Sequence, residues 1–213
     1  ILLPTSFDEN KSQLTFVDEV SELQQYIAVN PTGRFPSPSF VELVKNQNLH
    51  GEKDVQLVIV SHEDFLSQAN EVARLHEQYD GIKTLVVTPK QIFNEYSSGT
   101  PDATAFRWLM KQFYDRVEQG RKNPENLLLF GATTCDHRSL LSQNNQQQKM
   151  LSYQSENSLS VDISSYGTDD YFALLDDEEG ANLLSGKMDV GVGRLWARTT
   201  DEANILVSKI KKY

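Results

Sequence analysis

The apolar run VQLVIV at residues 55–60 decides the fold. It is short, continuous and rich in β-branched residues, which is typical of a strand buried on both faces of a sheet. Two further predicted strands follow, IKTLVV at residues 82–87 and NLLLFG at residues 126–131, and segments with helical apolar spacing separate the three. Strands that alternate with helices predict a parallel sheet covered on both faces. The predicted fold class is therefore α/β, a three-layer parallel-sheet subdomain.

Capping residues mark where the helices begin. Thr88 is an N-cap followed by Pro89, and Pro is favoured at the first helical position. Thr199 forms a capping box with Glu202 and opens a closing helix. The predicted helices cover residues 63–79, 89–96, 102–118 and 203–212.

A charged stretch, TDDYFALLDDEEGANLLSGKMDVGVGRLWAR at residues 168–198, follows the third strand. Its apolar parts predict short strands at 171–175 and 189–195. Its acidic residues fit either a solvated turn or a metal-binding loop, because carboxylate oxygens are preferred calcium ligands. Their spacing lacks the alternate positions of an EF-hand loop. The candidate calcium ligands are Asp169, Asp170, Asp176, Asp177 and Glu178.

Two segments differ in composition from the alternating core. In residues 1–50, stretches of strand propensity alternate with Pro and Gly, which predicts the end of a preceding β-rich domain plus a linker. The first residues, ILLPTSF, lack an initiator Met, so we expect an excised or processed piece of a longer protein. Residues 139–165 are rich in Gln, Asn and Ser and predict a flexible surface loop.

Composition excludes several functional classes. The net charge of −10 disfavours nucleic acid, since a phosphate-binding surface needs clustered Lys and Arg. No apolar run reaches about 18 residues, so no membrane insertion is predicted. The single cysteine, Cys135, excludes an internal disulfide and a cysteine-rich zinc site. Calcium is the one cofactor that the residues suggest.

Candidate catalytic groups are sought where buried strands end, because ligands of open parallel sheets bind beyond the carboxyl ends of the strands. Cys135 lies there, but a nucleophilic thiol needs an imidazole beside it. His137 is two residues away on the same loop, which rarely lets the ring face the sulfur. His62 would need the first and third strands to be adjacent. A lone Cys without a local signature is weak evidence, so no catalytic residue is assigned.

Longer motifs resemble the gingipain-like cysteine peptidases, a family with a caspase-like fold. They include FNEYSSGTPDATA at 93–105, TDDYFALLDD at 168–177 and the strand G-x-G-R at 191–194, and the likeness covers roughly residues 35–213. It is strongest to members that act as sortases of the Bacteroidetes type IX secretion system. Those members are exported to the outer membrane, where they remove C-terminal sorting signals from cargo and transfer the cargo to a surface anchor.

The resemblance implies that residues 51–213 are the N-terminal α/β subdomain of a cysteine endopeptidase. The family places its nucleophilic Cys and His in a second, C-terminal half, so this chain is expected to be inactive alone. The implied partners are the catalytic half of the same polypeptide, protein substrates with C-terminal sorting domains, and components of the secretion system. The implied location is the cell surface or outer membrane of a Gram-negative bacterium.

One segment departs from the family pattern. Where relatives tend to read GDGS-x-D-N-R after the third strand, this chain reads GATTCDHR at 131–138, with Ala132 in place of an acidic residue. This departure supports an alternative hypothesis, a catalytically inactive binding or scaffold module with the same fold. A third hypothesis is an independent α/β protein that binds a small molecule in a pocket of strand-end loops.

Overall fold

The computed structural model describes residues 3–30, 32–116, 124–138, 140, 149–155, 166–180 and 186–212. The chain forms two compact units, Ile1–Val44 and Lys45–Tyr213. The first unit holds an antiparallel pair of strands, β1 (Thr5–Asp8) and β2 (Gln13–Phe16). Every residue of this pair is exposed.

The second unit is built on a parallel sheet. The strands of this unit, in chain order, are β3 (Leu57–Ser61), β4 (Thr84–Val87), β5 (Asn126–Phe130), β6 (Tyr153–Gln154), β7 (Gly167–Thr168) and β8 (Gly191–Leu195). Within the described residues, β4, β3, β5 and β8 form a four-stranded sheet in that order, and every neighbouring pair is parallel. All five residues of β3 are buried, which confirms the strand predicted from VQLVIV. Strands β6 and β7 pair separately and antiparallel.

Helices cover both faces of this sheet. They are α1 (Leu66–Tyr79), α2 (Pro89–Tyr96), α3 (Thr104–Asp115) and α4 (Thr200–Ile210). Helix α2 begins with a complete capping box: the hydroxyl of Thr88 accepts from the N–H of Gln91, whose side chain accepts from the N–H of Thr88. Among the described residues, no helix combines the length and the apolar character that crossing a bilayer requires.

Alternate residues of the strands feed two separate cores. Val58 of β3 packs in a cluster with Phe106 and other residues of α2 and α3. Its neighbour Ile59 packs on the opposite face, in a cluster with Val72 of α1 and Val207 of α4. Because successive side chains of a strand point to opposite faces, one apolar run supplies both cores. The predicted three-layer α/β subdomain is confirmed.

The strand predicted at residues 171–175 is wrong. The structure has a 3-10 helix there, Asp170–Ala173, followed by an extended residue, Leu174. Residues 171–175 are all buried, so their apolar pattern reflects burial. Their carbonyls meet cations of α3, since the Arg107 guanidinium donates to the Leu174 oxygen at 2.5 Å.

Part of the predicted flexible loop at 139–165 is packed against the sheet. The N–H groups of Lys149 and Met150 both donate to the carbonyl of Ala132, at 2.9 and 3.0 Å. The Met150 side chain is only 2% exposed. Residues 149–155 are therefore fixed by the segment that follows β5. The remainder of the predicted loop, apart from residue 140, lies outside the described residues.

Candidate functional site

A groove of about 460 Å³ lies at the carboxyl ends of β5 and β8. Its walls come from the segment after β5, from the β6–β7 pair and from the end of β8. Most of the lining side chains are uncharged and carry a hydroxyl, an amide or an aromatic ring. They include Thr133, Thr134, Ser152, Gln154, Tyr166 and Trp196.

A buried ion pair forms one side of the groove. The Arg194 guanidinium grips the Asp169 carboxylate with two hydrogen bonds, Nε to Oδ2 at 2.7 Å and Nη2 to Oδ1 at 2.6 Å. It also donates to the carbonyl of Gly131 at 2.9 Å and to that of Leu151 at 3.0 Å. The Arg194 side chain is 7% exposed. Arg194 therefore ties three segments to β8, and its charge is balanced by Asp169.

A second group of cations holds the acidic turn that follows the 3-10 helix. Arg107 of α3 donates to the carbonyls of Leu174, Asp176 and Glu179 at 2.5, 3.2 and 3.0 Å. Lys111, one helical turn later, donates to the Leu175 carbonyl at 3.0 Å. The turn is therefore a structural element anchored by α3, since both cationic side chains are buried.

The carboxylates of this turn have partners on α3. Lys111 lies 2.7 Å from Asp177, and its hydrogen bond holds the pKa of Asp177 below the ordinary value. The Tyr114 hydroxyl donates to Asp176 at 2.9 Å. That bond raises the pKa of Tyr114 to about 12. These carboxylates face protein donors, as Asp169 does at the groove.

The proposed calcium ligands do not converge on one point. Asp170 and Glu178 are exposed, whereas Asp169 and Asp177 are paired with cations of different elements. In the described parts of the chain, no group of three or more His, Cys, Asp or Glu residues is placed to hold a metal ion. Calcium binding by these residues stays a prediction, which isothermal titration of the chain with Ca²⁺ would check.

The structure places Cys135 at the groove without an imidazole partner. Strands β3 and β5 are adjacent, which is the strand order that a pairing of His62 with Cys135 would need and that the sequence could not decide. Its Nδ1, however, accepts the N–H of Asp64 at 3.1 Å. The Nε2 of His137 lies 3.4 Å from the hydroxyl of Thr133. Within the described residues, neither ring is hydrogen-bonded to the exposed Cys135 thiol.

The segment at residues 149–150 covers the carboxyl ends of β3 and β5. The Lys149 ammonium lies 2.7 Å from the carboxylate of Asp64, beside the end of β3. The N–H groups of Lys149 and Met150 donate to the carbonyl of Ala132, and the Ala132 residue is 1% exposed. An acidic side chain at Ala132 would be desolvated there, which gives a physical reason for the small apolar residue. The groove consequently opens one strand away, beside β8.

Sequence reasoning missed four residues of these sites: Arg107, Lys111, Arg194 and Trp196. A signal for the first two exists, because Arg107 and Lys111 are cations spaced one turn apart among the apolar residues of α3. Arg194 belongs to the G-x-G-R motif, but the motif does not reveal its partner. Trp196 is 51% exposed directly after a strand, and its exposure cannot be inferred from sequence.

The rings of His62 and His137 are expected to titrate below pH 6.5. Burial lowers the pKa of His62; the charge of Asp64 opposes this shift and that of Lys149 adds to it. Burial also lowers the pKa of His137, and the positive charge of Arg194 lowers it further. The folded chain then takes up these protons less readily than the unfolded chain. The free energy of unfolding should therefore fall as pH falls through 6.5. NMR titration of the ring protons measures both midpoints, and a midpoint above 6.5 would contradict the assignment.

Comparisons with known proteins agree on one family. The model of peptidase family C25 matches residues 50–213. Among solved structures, the chain is similar to the crystal structure of dimeric latent PorU from Porphyromonas gingivalis, at 40% identity and a TM-score of 0.67. That match covers 80% of this chain and 16% of the PorU chain. No curated protein sequence gave a significant match.

Proposed function

Because the chain belongs to peptidase family C25, the gingipain family of cysteine peptidases, we propose that it is the non-catalytic N-terminal portion of an endopeptidase domain. The observation that carries this proposal is the setting of Cys135. Its thiol is exposed. The Nδ1 of His62 accepts the N–H of Asp64, and the Nε2 of His137 lies 3.4 Å from the hydroxyl of Thr133. A nucleophilic thiol needs an imidazole to take and return its proton, and within the described residues neither ring is hydrogen-bonded to the thiol.

The reaction proposed for the whole domain is peptide-bond cleavage through a thioester. A thiolate attacks the peptide carbonyl carbon, the C–N bond breaks, and an imidazolium gives its proton to the leaving amine. Water or another amine then attacks the thioester and releases the thiolate. We assign these proton and nucleophile roles to the C-terminal half of the same polypeptide.

This chain would contribute one wall of the substrate cleft. Its groove lies at the carboxyl edge of the sheet, where open α/β sheets bind ligands. The pairing of Arg194 with Asp169 fixes three wall segments and leaves no unbalanced charge from these two residues. Such a wall orients a substrate and excludes water from the reaction without taking part in bond making.

We further propose that the substrates are exported proteins with C-terminal sorting signals, removed by a sortase of type IX secretion at the surface or outer membrane of a Gram-negative bacterium. The support is the similarity to PorU, at 40% identity over 80% of this chain. Components of the secretion system would be further partners. The chain spans 16% of the PorU chain, and this supports assigning the proposed activity to a longer polypeptide.

Replacing Cys135 by Ala in that longer polypeptide should leave its rate of peptide cleavage unchanged, within about twofold. The reason is that the thiol has no imidazole partner and no structural hydrogen bond among the described residues. Cleavage of a peptide that carries a sorting signal measures the rate. The matched control replaces the Cys proposed as nucleophile in the C-terminal half and should abolish turnover. A loss of more than about tenfold in Cys135→Ala would refute the proposal.

The second candidate function is a catalytically inactive binding or scaffold module. It is favoured by Ala132, which stands where relatives tend to carry an acidic residue and which is fully packed here. The same assay separates the two functions. A longer polypeptide that folds but cleaves no peptide, with or without Cys135, would support the scaffold.

A further inference from the structure

Among the described residues, β8 is an end strand of the four-stranded sheet, and no strand pairs with its outer main-chain edge. The Gly191 N–H donates to the Glu125 carbonyl at 2.9 Å, so Gly191 faces β5. Because main-chain groups alternate in direction along a strand, those of Val192 and Arg194 are turned away from β5. In the portions of the chain that the structure describes, no hydrogen bond reaches the N–H or C=O of Val192 or Arg194.

This edge lacks the features that normally protect an edge strand. Natural edges carry Pro, exposed Lys or a bulge, which prevent another strand from pairing. The sequence of β8 is GVGRL, in regular register with β5. Gly191 and Gly193 present no side chain, and the one charge, on Arg194, is directed to Asp169 beneath the groove. In the part of the chain that the structure describes, the edge is therefore sterically and electrostatically accessible to an extended backbone.

The edge leads directly into the groove. Arg194 and Trp196 belong to both, and the indole of Trp196 is 51% exposed at the point where the strand ends. The ring of Tyr166, which also lines the groove, is 39% exposed. The hydroxyl and amide groups that also line the groove suit uncharged polar side chains. Two exposed rings in a groove that adjoins a main-chain edge suit an extended peptide.

We propose that β8 binds an extended peptide segment with uncharged side chains, which adds to the sheet as a further strand. The segment would pair with the main chain of Val192 and Arg194 and place a side chain in the groove beside Trp196. This inference rests on the proposed function in taking the segment to be part of a protein substrate. It adds the mode of recognition, in which main-chain pairing gives affinity and the groove gives selectivity.

A second copy of the chain fits this edge less well. Each copy carries a net charge of −10, so pairing of two copies brings like charges together. Pairing of two β8 strands would also leave the groove unfilled. An uncharged peptide avoids the repulsion and occupies both surfaces.

NMR of the ¹⁵N-labelled chain tests the proposal, with the peptide acetyl-Ser-Val-Thr-Val-Asn-amide as the probe. Strand addition should shift the amide signals of Val192 and Arg194 more than those of Gly191 and Gly193. Two control peptides carry N-methyl groups, one on both Val residues and one on Ser, Thr and Asn. Only one alternate set of amides faces β8, so one control should lose binding by at least about tenfold and the other should keep it.

Variants of Val192 supply the matched comparison. Val192→Pro removes the outward N–H, which an edge strand tolerates, whereas Val192→Ala keeps it. The Pro variant is expected to bind the probe about tenfold more weakly than the Ala variant. The amide spectrum of each variant shows that it is folded.

Three results would overturn the proposal. The first is equal binding of the probe peptide by the two folded Val192 variants. The second is no shift of the β8 amide signals at a millimolar concentration of the probe. The third is a shift of the Val192 amide signal that depends on protein concentration without peptide, which would assign the edge to a second copy. The assay requires no peptide cleavage. A negative result therefore leaves the Cys135→Ala test of the proposed function intact, and a failed Cys135→Ala test leaves this result intact.

Discussion

Arg194→Met is expected to destabilise the second unit by about 3 kcal/mol or more. The substitution leaves the Asp169 carboxylate, itself partly buried, without its cation, and it takes a donor from the carbonyls of Gly131 and Leu151. Breaking a buried pair by removing one partner is costly because the remaining charge stays desolvated. Urea unfolding followed by tryptophan fluorescence and circular dichroism gives the free energy of unfolding.

Two further variants separate the charge of Arg194 from its shape. Arg194→Lys keeps the charge but cannot make the bidentate contact with Asp169, so an intermediate loss is expected. The double variant Arg194→Met with Asp169→Leu removes both charges and should be more stable than Arg194→Met alone. If Arg194→Met stays within about 0.5 kcal/mol of the parent chain, the pair is not the anchor of the groove.

Arg107→Met is expected to cost about 2 to 4 kcal/mol, because it removes a buried guanidinium that donates to three carbonyls. Those carbonyls belong to Leu174, Asp176 and Glu179; within the described residues none of the three lies in a strand, and only Asp176 accepts another main-chain bond, from the Glu179 N–H at 3.1 Å. The acidic turn should then open locally, and hydrogen exchange of the amides in residues 174–180 should accelerate.

An exposed arginine provides the matched control for Arg107. Arg74 lies on α1 with its side chain exposed, and among the described residues it donates to the Asn70 carbonyl of its own helix. Arg74→Met should therefore change the free energy of unfolding by less than about 0.5 kcal/mol. Equal effects of Arg107→Met and Arg74→Met, or unchanged exchange in residues 174–180, would show that the turn does not depend on α3.

The sheet could be predicted because its information is local. The run at residues 55–60 carries burial on both faces in its own composition, and five residues of it form the fully buried β3. The predicted N-cap Thr88, with Pro89 directly after it, is likewise a local signal, and the structure has α2 begin there. Features specified by neighbouring residues are the ones that sequence patterns reveal.

The 3-10 helix at Asp170–Ala173 could not be predicted for the opposite reason. The apolar residues 171–175 suit a buried strand and a buried irregular segment equally well. Arg107, which lies 67 residues before Leu174, supplies the donor that fixes the irregular form. A contact over that distance leaves no trace in the local pattern.

The candidate site was predictable only in part. The strand-end position of Cys135 and its poor spacing to His137 follow from the sequence, but the adjacency of β3 and β5 depends on strand order. The pairing of Arg194 with Asp169 joins residues 25 positions apart, and no pattern marks them as partners. Trp196 and the open edge of β8 depend on which strand ends the sheet.

Mass spectrometry after reaction with a peptidyl chloromethyl ketone tests the central claim most directly, namely that this chain supplies no nucleophile. The reagent alkylates an activated thiolate, and it is applied to the polypeptide that joins this chain to the proposed catalytic half. At one label per molecule, we expect the label on a Cys outside residues 1–213 and none on Cys135. A label on Cys135 would contradict the account.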